Sequence, residues 1–121
     1  GLIATVDLNR YFVRNSVHVT YPRDGAAGFS LQALCACVNS AFYLRYFLAV
    51  TGEDGEIFPQ VHVADIKRLP LRPELLKEGG RLSELGAQLL VLHASAEHPD
   101  PAAKVPLLVE VEVLLENAFC G

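Results

Sequence analysis

Residues 31–50, LQALCACVNSAFYLRYFLAV, constrain this chain more than any other stretch. Their spacing predicts one helix, with Ser30 as the N-cap that accepts from an orphan amide one turn in, and a stop before Gly52, which suits the left-handed C′ position. Leu31, Leu34, Val38, Phe42, Leu44 and Leu48 make it apolar over most of its circumference, and Gln32, Asn39, Ser40 and Arg45 are its few polar positions. A helix without a polar side has to be enclosed. With 121 residues the chain can build one core and hardly two, so the rest must wrap this helix as a single domain, 1–121.

The wrapping falls into two parts, 1–73 and 74–121. Residues 2–6 read as a short strand and residues 11–21 as a longer one, in which Val17, Val19 and Tyr21 alternate with Ser16, His18 and Thr20. Pro22, Gly25 and Gly28 mark a turn, and residues 53–56 another. Residues 60–64 form a short strand with Val61 and Val63 on one face and Gln60 and His62 on the other. Pro70 and Pro73 exclude helix from their predecessors, so the chain leaves that strand extended. Beyond Pro73 the pattern turns helical. Leu75, Leu76, Leu82, Leu85, Leu89 and Leu92 recur at helical spacing, with Gly79-Gly80 separating a short turn from the main helix. Residues 98–102 read as a loop, and a last helix is expected from about Pro106 to about Phe119. Residues 109–113 alternate like a strand, but the helical reading gathers Leu107, Val111, Leu114, Leu115 and Ala118 on one face and is preferred.

Composition is that of a globular protein: 51% hydrophobic and 20% charged. No apolar run approaches the ~20 residues a membrane helix needs, and the opening Gly-Leu-Ile-Ala-Thr is no signal peptide. The lack of an initiator Met points to a piece of a longer protein or a processed end. Three cysteines cannot form a complete disulfide set, and Cys35 and Cys37, two apart on a helix, cannot share a metal, so buried thiols in a reducing cytoplasm are expected. The net charge of −4 is unevenly spread: residues 1–73 carry seven Lys/Arg against six Asp/Glu, whereas residues 74–121 carry three against eight. A basic face on the first part is therefore compatible with an acidic whole.

Catalytic patterns are missing. There is no Gly-rich phosphate loop, zinc-ligand spacing or nucleophile elbow. His18, His62, His93 and His98 are scattered; His93, near a helix end, reads as a surface or dipole-compensating residue. A thiol hydrolase built on Cys35 and His62 would need a reactive thiol within an apolar helix, where burial is the simpler reading. The segment FPQVHVADIKRLPLRP, residues 58–73, is different. Gln60 and His62 share its non-core face, and Lys67, Arg68 and Arg72 follow closely. Gln can pair with an adenine edge, and Arg or Lys with guanine or phosphate. The bland alternative has Gln60 bonding a neighbouring backbone while the basic residues lie in water.

The phrase FPQVHVADIKRLPL resembles the signature of the specificity domains of TaqI-like adenine DNA methyltransferases and of fused restriction-modification enzymes. The preceding FSLQALCACVNSAFYLRYFLAVTG is similar to that family's helix, with Asn39 and Ser40 in its Asn-Ser pair; ATVDLNRYFVRNSVHVTYP resembles its paired strands, and LVEVEVLLENAF its C-terminal helix. The family helix usually ends in an aromatic-Gly pair, whereas Phe119 is followed by Cys120. The resemblance implies an α+β fold: a small curled β part with a buried helix, followed by a C-terminal α-helical hairpin over 74–119. It implies a parent enzyme that moves a methyl group from S-adenosylmethionine to an adenine of double-stranded DNA, with or without endonuclease activity. The motifs for catalysis and for that cofactor are absent from this sequence, so no catalytic residue, cofactor or metal is expected here.

The expected function is thus target recognition on DNA, beside a methyltransferase catalytic domain of the same parent chain, in the cytoplasm and away from membranes. Arg10, Arg14, Arg23, Gln60, His62, Lys67 and Arg68 are the candidate contacts, chosen on charge and position. The rival expectation is a structural or oligomerisation role in which the leucine-lined hairpin buries a face against a partner.

Overall fold

A computed structural model of the chain describes residues 5–6, 28–51, 69–96 and 98–120. They form four α-helices, α1 (Leu31–Val38), α2 (Ala41–Thr51), α3 (Arg81–Ser95) and α4 (Pro101–Cys120), with a 3₁₀ turn at Pro73–Leu75. The α+β class with a curled β part is corrected by this arrangement. Among the described residues there is no sheet, only an isolated antiparallel bridge between Phe29 and Lys77. Thr5 and Val6, placed in a first strand from their apolar neighbours, have no regular structure; the strands expected over 11–21 and 60–64 lie outside the described residues. Helix-on-helix packing holds the described part together.

The single helix expected over 31–50 is two helices. The break falls at Asn39-Ser40, where short polar side chains compete for the backbone. Asn39 caps α1, its main-chain N–H and its Nδ2 both donating to the Cys35 carbonyl, Nδ2 at 2.9 Å. The Ser40 hydroxyl donates to the Cys37 carbonyl at 2.6 Å and accepts from the Tyr43 N–H at 3.1 Å, closing one helix and opening the next. Ser30 is the N-cap of α1 as expected, accepting from the Ala33 N–H at 3.0 Å.

α1 packs most extensively on α3. Small residues make this possible: Ala33, Ala36 and Cys37 are buried on α1, and Gly86 of α3 lies against the Gln32 backbone with no room for a side chain. Tyr43, Leu76, Leu82, Leu85, Val111 and Leu115 complete the core. The segment from Gly28 to Ser30 is stitched to the approach to α3 by Ser30 N–H to Leu76 O and Glu78 N–H to Gly28 O, each 2.7 Å. Gly79 then turns the chain into α3 with φ +79°, a conformation that suits glycine.

The hairpin beyond residue 73 is present as α3 and α4, and the Gly79-Gly80 break before it falls where expected. Its last helix starts five residues earlier than Pro106. Asp100 is the effective cap, its carboxylate accepting from the Ala102 N–H at 3.0 Å and its carbonyl from Ala103 and Lys104. Pro101 takes the first position and Pro106 sits inside the helix on an exposed side. The helical grouping of residues 107–118 holds: Val111 and Leu115 are buried, and Leu107 and Leu114 pack on the core.

Candidate nucleic-acid interface

Arg10, Arg14, Arg23, Gln60, His62, Lys67 and Arg68 all lie outside the described residues, so the structure neither gathers nor separates them. It does describe the four residues that follow Arg68. Leu69 packs on the core, Leu71 is exposed, and the carbonyl of Pro70 accepts a hydrogen bond from the Tyr43 hydroxyl. Arg72, in extended backbone, lays its guanidinium over the Phe119 ring at 5.2 Å and pairs with Glu74 at 3.6 Å.

These contacts meet in one aromatic cluster. Phe42 stacks on Phe119 with centroids 5.4 Å apart, and Tyr43 meets Phe119 edge-on at 6.2 Å. Arg45 adds a second guanidinium, 6.0 Å from the Phe42 centroid. The cluster joins α2 to the end of α4 and carries two exposed arginines, Arg45 and Arg72. Arg45 and Arg72 were not among the candidates. The signal for Arg72 was available, four residues beyond Arg68 in one basic run; Arg45 stood out only as a rare polar position on an apolar helix.

At the start of α3, Arg81 is committed to the scaffold. Arg81 donates to Glu110 through Nη2, at 2.8 Å to Oε1, and through Nε, to Oε2, and pairs with Glu84 at 2.9 Å; these bonds hold its guanidinium firmly protonated and the Glu110 carboxyl below its ordinary range. Glu112 of α4 receives the first amides of α2, Ala41 N–H at 2.8 Å and Phe42 N–H at 3.1 Å. Acidic side chains of the tail thus mostly serve the scaffold.

The two cysteines of α1 are buried. Burial pushes the Cys35 thiol up, a rise only partly offset by the bond from Asn39, and pushes Cys37 to about 12 despite the Tyr43 hydroxyl beside it. His93 is exposed in the last turn of α3. Among the described residues, no three His, Cys, Asp or Glu side chains gather as around a metal ion, and no helix is long and apolar enough to cross a membrane. A groove of about 770 Å³ between α1, α3 and α4 is lined mainly by Leu89, Leu90, Val105, Leu108, Val109 and Val113. It suits apolar side chains rather than chemistry.

No curated protein and no solved structure matches the chain. Residues 1–71 match the TaqI-like C-terminal specificity domain family. The match takes in the Asn39-Ser40 corner, Tyr43 and Pro70, and ends before Arg72, α3 and α4. Covering more than half of the 121 residues, it shows that the chain belongs to the family of TaqI-like C-terminal specificity domains, which points to DNA recognition in restriction-modification enzymes as its role.

Proposed function

We propose that this chain is a non-catalytic target-recognition module of an adenine-specific DNA methyltransferase of a restriction-modification system. In this reading the catalytic domain of the parent chain holds S-adenosylmethionine and acts in the cytoplasm on double-stranded DNA. The observation that carries it is the family match over residues 1–71, which includes the whole basic run through Arg68. Lys67 and Arg68 neutralise phosphates, Gln60 and His62 address base edges, and Arg10, Arg14 and Arg23 add to the backbone contacts. Arg45 and Arg72, exposed on the aromatic cluster beside residues 69–72, supply two further cations. The acidic hairpin stays behind the DNA-facing side.

Binding to a pool of short random-sequence DNA duplexes, measured against salt in the parent enzyme, tests this. Lys67→Ala and Arg68→Ala should each weaken binding and flatten the slope of log K against log salt by about 0.9 for each phosphate that is no longer neutralised. An unchanged slope in both variants would remove them from the interface.

A second reading is favoured by one observation. Val105, Leu108, Val109 and Val113 of α4 are exposed along the groove that α4 forms with α1 and α3, which leaves an apolar strip beside the core face of the helix. That strip suits a protein surface, and such an association is compatible with DNA recognition by the first part of the chain.

A further inference from the structure

Residues 69–72 form neither helix nor strand, yet three of the four are tied to the helical scaffold. Leu69 is packed on the core, the Pro70 carbonyl is held by Tyr43, and the Arg72 guanidinium lies over Phe119. Only Leu71, 48% exposed, points elsewhere. Tyr43 itself is 1% exposed, so its hydroxyl is committed inside the protein. Burial and the neighbouring Cys37 thiol push its phenol up from the ordinary value, so it keeps the proton it donates. Its ring packs against both Phe42 of its own helix and Phe119 from the far end of α4, which stack on each other. Core packing alone asks for Leu69; it does not ask for a buried phenol aimed at a proline carbonyl or for a stacked surface arginine.

We propose that Tyr43, braced by Phe119, is a positioning residue for DNA binding: it clamps the exit segment so that the basic pair immediately before it meets the phosphates from a fixed base. The proposal rests on the DNA-recognition reading above. Lys67 and Arg68 are two and one residues from Leu69, so a fixed Leu69 limits how far either backbone can stray, to about 3.6 Å per residue. Ordering that the fold has already imposed is ordering that DNA binding does not have to impose. The clamp also gives the C-terminal helix, which lies beyond the family match, a part in recognition without any contact to DNA.

The test is a mutant cycle in the parent enzyme, read as affinity and salt slope on short random-sequence duplexes, with the thermal midpoint of each variant recorded. Tyr43→Phe removes the hydroxyl and keeps the ring. Its expected effect is an affinity loss of about two- to tenfold, the range of one hydrogen bond, and a flatter salt slope. On a Lys67→Ala/Arg68→Ala background the same change should have little further effect, because the clamp acts through those residues. Phe119→Leu, which removes the ring under Arg72 but keeps apolar bulk, should behave alike. If the lysine and arginine changes weaken binding while Tyr43→Phe leaves affinity and slope unaltered, or adds fully on the double-mutant background, the clamp is overturned and DNA recognition stands. If the lysine and arginine changes themselves do nothing, the DNA reading of this segment fails, and the clamp with it.

Discussion

Gly86 shows how far one residue can decide the packing here. A Cβ built on it would lie 2.2 Å from the Gln32 carbonyl oxygen and 2.7 Å from its carbon, distances that only movement of the α1 backbone could relieve. In an exposed helix, alanine in place of glycine would add about 1 kcal/mol of stability. Against that stands overpacking of a rigid contact, which costs about 1–3 kcal/mol and acts on the most extensive helix pair of the molecule. The overpacking should win. Gly86→Ala is expected to lower the urea midpoint of unfolding, and a raised midpoint would mean that α1 and α3 do not approach as described. Single residues differ greatly in how readable they are from sequence. Ser30 could be named as a cap because its partner amide lies three residues on, within the same helix. Gly86 could not, since what it meets lies over fifty positions away and a glycine within a leucine-rich helix announces nothing by itself.

At the scale of elements, the misread helix over 31–50 has a clear cause. Apolar periodicity continues across Asn39-Ser40, so no pattern of hydrophobic residues marks the corner; two short side chains make it by taking over the terminal backbone groups. The Asn-Ser pair was visible as part of a family resemblance, but its mechanical meaning was not. The corner also needs help from outside the segment. The opening amides of α2 are received by Glu112, about seventy residues later, which sets a carboxylate where the helix dipole is positive. Glu112→Gln keeps the size but loses the charge, and turns an amide donor toward one of two N–H groups. The change should cost about 1 kcal/mol. Hydrogen exchange locates that loss better than global unfolding: the Ala41 and Phe42 amides should exchange several-fold faster, with α3 unaffected. Equal protection in the variant would show that solvent caps α2 just as well. Residues 109–113 illustrate the reverse case, a strand-like alternation overruled by a helical face that buries Val111 and Leu115.

For the whole molecule, the family was legible because it rests on short ordered motifs in residues 1–71, while the class of fold was not, since the described residues pack helix on helix and hold no sheet. The candidate DNA contacts rest on a charge pattern and lie outside the described residues; the aromatic cluster that carries Arg45 and Arg72 was not legible, because it unites α2, residues 69–72 and the end of α4. The same long-range assembly leaves an open apolar groove along α4. Val111 and Leu115 are buried, whereas Val105, Leu108, Val109 and Val113 remain exposed along that groove, and an apolar strip on a surface marks either an interface or an aggregation liability. If the strip is an interface between copies of this chain, gel filtration should show elution shifting to larger size as concentration rises. Leu108→Glu together with Val109→Glu should then restore a monomer, at a cost to stability within about 0.5 kcal/mol because neither side chain is in the core. Elution independent of concentration in the unaltered chain would rule out self-association and leave the strip to a different protein surface. Neither result bears on Lys67 or Arg68, so the hairpin and the basic exit can be tested separately.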